Sequence, residues 1–423
     1  MLQLARALHD SGASSMEVER RAAASGRALG LAVATFATPT AIFVDVARAP
    51  VADARPAHVG SLLGAADRTT HLMRVQPGAI DLGRLEALAE LEADVVAGRT
   101  LGTAGVARIA AILRREPLWS APVQVLAYAV TALGAARLLG GGVAELLAAA
   151  LVGALVGLAA LAQARLPSAS TGWFDPAASA LAAGSAAALT ATPAAWGALG
   201  GGPPSPQIVT IAALIVLLPG LGLTRAMDEL AARNLASGTA RLLGAVTTVV
   251  AMGFGIAVGR ALATAAGAEP IAAPSAIPPP WLPAEAAVVL SAPALIVLFG
   301  GRARDVVPAA IAGLAATWGA AWGAASLGPQ LGVSLGAAAV ALVALTFERV
   351  TARPAAIAAF PGLLLLVPGT MGLRSFEMLL AQDVTAGIAA AFHTVLTAMA
   401  IVAGLMLVDA VAASLPAPAA ARR

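Results

Sequence analysis

The chain contains no cysteine and no lysine. Without thiols there is no disulfide, no thiolate metal site and no cysteine nucleophile. All 26 basic residues are arginine, and charge of either sign is scarce: 12% of 423 residues, against about 25% in soluble domains. So few charges cannot build a water-facing surface of this size, so most of the chain is expected in lipid. Four histidines (His9, His58, His71, His393) are too few and too scattered for a metal cluster, so neither metal nor cofactor is expected. The opening stretch MLQLARALHDSGASSMEVERR lacks an apolar h-region, so no cleavable signal peptide is expected.

What is present is apolar. Hydrophobic residues make up 59% of the chain, and 43 glycines accompany them. Small residues let membrane helices approach closely, and the pairs Gly153/Gly157, Gly255/Gly259 and Gly319/Gly323 have that spacing. Such long apolar runs speak against nucleic acid as a partner. They make the lipid bilayer the first partner expected.

Residues 1–117 differ from the rest, holding 13 of the 26 arginines and 12 of the 23 acids. They predict a small soluble α/β domain. Residues 14–28 read as a helix capped by Ser14 or Ser15. LAVATF and TAIFVDVA read as strands around Thr38-Pro39, with THLMRV as a third. Asp81 then caps a second helix and 103–115 form another. From Leu118 onward ten apolar segments are expected to span: 118–139, 143–164, 177–197, 207–224, 238–262, 284–300, 306–326, 330–348, 355–373 and 385–411. They group into membrane units 118–265 and 283–412. Loop arginines, among them Arg165, Arg225, Arg233, Arg302, Arg304, Arg349 and Arg353, fall mainly on one side. The positive-inside rule then puts both termini in the cytoplasm.

The sequence also repeats. Shifted by 149 residues, LLPGLGLTRAMDEL (217–230) falls on LVPGTMGLRSFEML (366–379), matching Pro219/Pro368, Gly220/Gly369, Arg225/Arg374 and the acids Asp228/Glu377. Gly140-Gly141 and Gly300-Gly301 extend the correspondence at another offset. Five spans followed by their copy must enter the membrane in the opposite sense. The fold expected is therefore a polytopic all-α membrane protein of two inverted five-helix repeats behind a small cytosolic α/β domain.

Pro206 and Pro219, and Pro354 and Pro368, bracket apolar stretches too short to cross a ~30 Å core. Each Pro-Gly therefore predicts a helix break at membrane depth, where free backbone groups must face protein or a water-filled cavity. Short, Gly/Pro-interrupted segments at matching places in two halves point to a transporter's binding site. Arg225 with Asp228, and Arg374 with Glu377, share a helix face at i,i+3. In one reading each arginine takes a substrate carboxylate while the acid takes an ammonium or a proton. In the other, each pair is a local salt bridge that steadies the break. His393, inside the last segment, is a candidate proton relay; a neutral histidine bonded to a neighbouring helix is its alternative.

Four stretches carry a resemblance. LHDSGASSMEVERRAAASGRALGL (8–31) with RVQPGAIDLGRLEALAELEADVVAGR (74–99) resembles the N-terminal region of the threonine/serine exporter family. LLPGLGLTRAMDELAARNLASGTARL resembles the end of that family's first membrane unit, and FPGLLLLVPGTMGLRSFEML resembles its second. The resemblance implies a cytoplasmic-membrane exporter, not an enzyme, driven by the proton motive force and acting on threonine and serine. A two-chain branch of the family implies succinate instead. Three functions follow for comparison: export of small hydroxylated amino acids, export of a dicarboxylate, and an N-terminal enzyme or sensor on a membrane anchor. A homo-oligomer is compatible with each.

Overall fold

The computed structural model describes residues 1–48, 68–100, 102–166, 172–192, 196, 202–268, 277–366, 369–380 and 382–414. Two compact units form. The smaller joins Met1–Leu118 to two later pieces, Glu229–Arg241 and Phe299–Gly301; the larger holds Trp119–Asp228, Leu242–Leu298 and Arg302–Arg423.

The smaller unit opens with α1 (Leu2–Asp10) and α2 (Ser15–Ala28). Ser14 caps α2, its hydroxyl accepting from the Glu17 N–H at 3.2 Å. β1 (Leu31–Ala37), β2 (Ala41–Arg48) and β3 (Arg68–Arg74) form an antiparallel sheet in that order, with Phe36 opposite Phe43 and Val44 opposite His71. Thr38 closes the β1–β2 turn by bonding Ala41 through its N–H and hydroxyl. Asp81 caps α3 (Leu82–Val96), accepting from the Arg84 N–H at 2.9 Å, and α4 (Gly102–Leu113) follows. Alternation along β2 buries Ile42 and Val44, and Leu8, Val18, Leu88 and Leu91 are buried in the same unit. The Leu82 N–H donates to the Phe299 carbonyl at 2.8 Å, tying in the second later piece.

The larger unit is helical. α5 (Ala121–Leu138), α6 (Val143–Gln163) and α7 (Phe174–Thr190) precede short α8 (Pro206–Ala213), then α9 (Gly220–Ala231) and long α10 (Leu235–Ala265). The order then recurs as α11 (Ala284–Leu298), α12 (Val306–Leu327), α13 (Pro329–Thr351), short α14 (Ala356–Leu366), α15 (Gly369–Leu380) and long α16 (Val384–Ser414). The long helices α10 and α16 have 31 residues each. Gly255 and Gly404, equivalent in the 149-residue shift, do equivalent work. Gly255 lets α10 reach the α7 backbone at Pro176, and Gly404 lets α16 reach the α13 backbone at Ser334. Gly319 and Gly323 of α12 likewise meet Gly336 and Gly332 of α13, with a Cβ on either glycine falling 3.0 and 2.8 Å from the opposing Cα. In lipid, water exclusion no longer holds helices together, so such close backbone packing carries the association.

Among the described residues seven helices are long and apolar enough to span, against the ten expected. The difference has a geometric source. α7 and α11 have 17 and 15 residues, short of the ~20 that a perpendicular crossing needs. The stretch 207–224 is not one helix but α8, a turn, and the start of α9.

Candidate functional site

The first Pro-Gly motif lies where one helix stops and another starts. In the first, α8 gives way to a turn in which the Leu217 and Leu218 N–H groups both donate to the Leu214 carbonyl, at 2.9 and 3.1 Å. The Pro219 carbonyl then accepts from Leu223 at 2.9 Å and starts α9. Pro219 suits that position because its missing N–H is one the helix start leaves unpaired anyway. In the second, α14 is described to Leu366 and α15 from Gly369, together one candidate span over Ala356–Leu379; the break expected at Pro368 lies outside the described residues.

The two Pro-Gly motifs touch. A Cβ placed on Gly369 would stand 3.2 Å from the Leu218 Cβ and 3.5 Å from both N and Cα of Gly220. A side chain on Gly369 would press on Leu218 and touch Gly220. Beyond the contact each post-break helix enters the core of the opposite half. Leu373 of α15 is fully buried in a cluster with Val152, Ile211, Leu214, Met252 and Ile256, all first-half residues. Leu221 of α9 packs on the second-half cluster of Ala312, Val340, Leu363 and Ile401. Phe376 of α15 meets Phe254 of α10 edge-on at 5.4 Å.

The charges follow the same exchange. Arg225 of α9 places its guanidinium carbon 4.6 Å above the Phe360 ring of α14, a cation–π contact across the halves. Asp228, one turn on, is half-buried, and both residues are engaged within the folded chain. Glu377 is not paired with Arg374 as the i,i+3 spacing allows. One of its oxygens accepts from Arg260 of α10 at 2.8 Å and the other from Gln207 of α8 at 3.1 Å. Its side chain is 8% exposed. Arg374 is left with a buried Nε that has no hydrogen-bond partner among the described residues. An uncompensated buried guanidinium N–H is costly, which makes it a ready donor to an incoming anion.

The structure thus joins Pro219, Gly220 and Gly369 at one crossing and sets Arg225, Arg374 and Glu377 on the helices leaving it. His393 is not brought there by any recorded contact. It sits on an exposed face of α16 beside the exposed Phe392 and Leu396, and no described residue hydrogen-bonds its ring. Arg260 and Gln207 had no signal in the sequence, because their partner lies more than a hundred residues away. Glu145, at the start of α6, is buried. It accepts from the Gly142 and Ser205 N–H groups, both at 2.9 Å, and so caps α6 and the approach to α8 together.

Immediately after Asp228, within the smaller unit, a buried polar knot fixes the end of α9. Glu229 accepts from Arg241 Nε at 3.0 Å, from the Ser237 hydroxyl at 2.6 Å and from the Ser15 N–H at 3.3 Å. The Ser15 and Ser237 hydroxyls are 2.7 Å apart. Among the described residues no cluster of three or more metal-ligating side chains occurs.

A family model, ThrE, described as "Putative threonine/serine exporter", matches residues 1–263 and 274–411, nearly the whole chain. No curated protein and no solved structure matches the chain.

Proposed function

The chain belongs to the threonine/serine exporter family, a family of membrane transporters acting on small molecules, and from that premise we propose proton-driven export of threonine and serine across the cytoplasmic membrane. The reciprocal crossing at Gly369 against Leu218 and Gly220 carries this reading. Two Pro-Gly segments whose following helices exchange partners at one point form a joint whose two sides can swap roles. Alternating access through inverted repeats needs such a joint. Both termini face the cytoplasm in this reading, as the loop arginines favour.

Arg374 binds the substrate carboxylate, its unpaired Nε supporting that role. Arg225 serves the equivalent place in the other half, with Phe360 holding its guanidinium until substrate arrives. Glu377, neutralised by Arg260, orients α15 rather than meeting substrate. Asp228 is the acid of the first half-site. His393 is the proton-coupling candidate on chemical grounds alone.

Labelled threonine, serine and succinate loaded into proteoliposomes test the reading. Threonine and serine should leave, each competing with the other. Arg374→Ala should cut efflux at least tenfold, a loss of one charge-assisted contact worth about 1.5–3 kcal/mol, with Arg374→Lys intermediate. Efflux of succinate alone would favour the dicarboxylate reading, in which Arg225 and Arg374 each hold one carboxylate. If His393 carries the proton, His393→Ala leaves downhill efflux intact but insensitive to an imposed pH gradient; retained sensitivity removes it from that role.

A further inference from the structure

Within the larger unit two buried acids hold the entries to the short helices α8 and α14. At the offset of 160 that relates Gly140-Gly141 to Gly300-Gly301, Glu145 matches Asp305 and Gly142 matches Arg302. The structure gives both acids the same first task. Glu145 accepts from the Gly142 N–H at 2.9 Å at the start of α6, and Asp305 accepts from the Arg302 N–H at 2.8 Å just before α12. They are 3% and 1% exposed. A surface acid would cap a helix as well, so their burial calls for a second role.

The other oxygen of each acid supplies it. Glu145 Oε1 accepts from the Ser205 N–H at 2.9 Å, and Ser205 is the N-cap of α8. Asp305 Oδ1 accepts from the guanidinium of Arg353, which precedes the start of α14 at Ala356. The two donors differ for a covalent reason. At the offset of 149 Ser205 matches Pro354, and proline has no N–H to give. The neighbouring Arg353 donates from its side chain instead, its guanidinium carbon lying 5.3 Å from the Phe347 ring. A neutral donor in the first half is thus replaced by a cation in the second.

We infer that Glu145 and Asp305 are paired positioning residues of the transport cycle, each holding one end of the substrate path shut by fixing the start of α8 or α14. This rests on the export reading above and names what closes its two ends. α8 has 8 residues and is about 12 Å long. It is therefore a short lever between the Ser205 hold and the contact of Gly369 with Leu218 and Gly220. A swing at that contact moves the far end of the lever, where the hold sits. Halves that take turns must release their holds in turn. Both holds are made together in this structure, as in a path shut at both ends. Arg302, Arg304 and Arg353 put the Asp305 hold on the cytoplasmic face in this reading, and Glu145 on the outer one. The cytoplasmic hold is then an ion pair and the outer hold is not.

The chain has no cysteine, so a single introduced thiol reports without background. Ser375→Cys places one on α15 at a position 4% exposed, beside Arg374. Its reaction with a membrane-impermeant maleimide is measured in right-side-out and in inverted membrane vesicles carrying the full chain, alongside threonine efflux. Arg353→Ala should raise labelling from the cytoplasmic face about tenfold, the effect of losing one charge-assisted bond, and leave the outer face unchanged. Glu145→Ala should do the reverse. Arg353→Lys keeps the charge and Glu145→Gln keeps one accepting oxygen, so each should shift labelling the same way but less. Where an alanine variant does not fold, its conservative partner decides. Loosened folding exposes a thiol to both faces alike, so sidedness separates these holds from merely structural contacts. Labelling that rises equally from both faces, or from neither, overturns the inference, while threonine efflux by the wild type still upholds the export reading. Opposite-sided labelling with no efflux of threonine or serine upholds the two holds and removes that reading.

Discussion

At the residue scale the decisive side chains are those whose partners are missing or unexpected. Glu377 shows this best. Glu377→Gln should keep the Gln207 contact and lose most of the attraction to Arg260, which is 43% exposed. Exposed partners screen each other well, so the expected loss is about 1 kcal/mol or less. Transport should therefore survive far better than in Arg374→Ala, as comparative efflux assays will show. His9 makes a pH prediction in the smaller unit. Burial first, and then Arg241, hold its imidazole below the ordinary histidine value, with Asp10 opposing. The folded value is depressed, so the stability from neutral His9 is complete above about pH 6.5. It is lost as the pH falls from there toward the folded value. Hydrogen exchange of α1 and α2 should accelerate as pH falls from 7 to 5, with a slope of at most about 1.4 kcal/mol per pH unit for one proton. In His9→Leu that dependence should flatten. The sequence marked Arg225, Asp228, Arg374 and Glu377 because they recur in register. It gave no sign of Arg260 or Gln207, since a lone polar residue in an apolar helix looks alike whether bonded or orphaned.

At the element scale the two Pro-Gly segments dominate. The break at the first was legible, because proline and glycine announce it locally; the one expected at Pro368 lies outside the described residues. The meeting of the two segments was not legible, because it is a tertiary relation between segments far apart in the chain. The same limit applied to span number: apolar runs were counted correctly as runs, but α7 and α11 proved shorter than their runs and one run held a turn. The smaller unit's helices with side-chain caps, α2 and α3, lie where Ser14 and Asp81 put them; α1, whose N-cap Met1 makes no side-chain bond, has no such signal. The crossing predicts graded sensitivity to side-chain size. Gly369→Ala needs Leu218 to yield by a few tenths of an ångström. Gly369→Val pushes a branched group into the Gly220 backbone and should cost about 1–3 kcal/mol. Efflux should decline in the order glycine, alanine, valine, with melting temperature falling in parallel.

At the scale of the whole molecule the two halves are alike in helix order but not in what is attached to them. The first post-break helix carries Glu229 in its last turn, the buried carboxylate being held by Ser15, Ser237 and Arg241 within the smaller unit. Glu229→Ala leaves Arg241, 13% exposed, without its counter-charge. A buried pair broken on one side costs about 3–5 kcal/mol. Proteolysis of the 229–241 segment should quicken, and Ser237→Ala should show a milder form of the same change. The reciprocal cores also bear on manufacture of the protein. Leu214 and Leu373 belong to one cluster, yet the ribosome makes them roughly ten to thirty seconds apart at about 5–20 residues per second. Throughout that interval the first half waits in the membrane with its centre unfinished. The order of synthesis therefore sets a deadline that only the second half can meet, whether it arrives on the same chain or is supplied as a separate one.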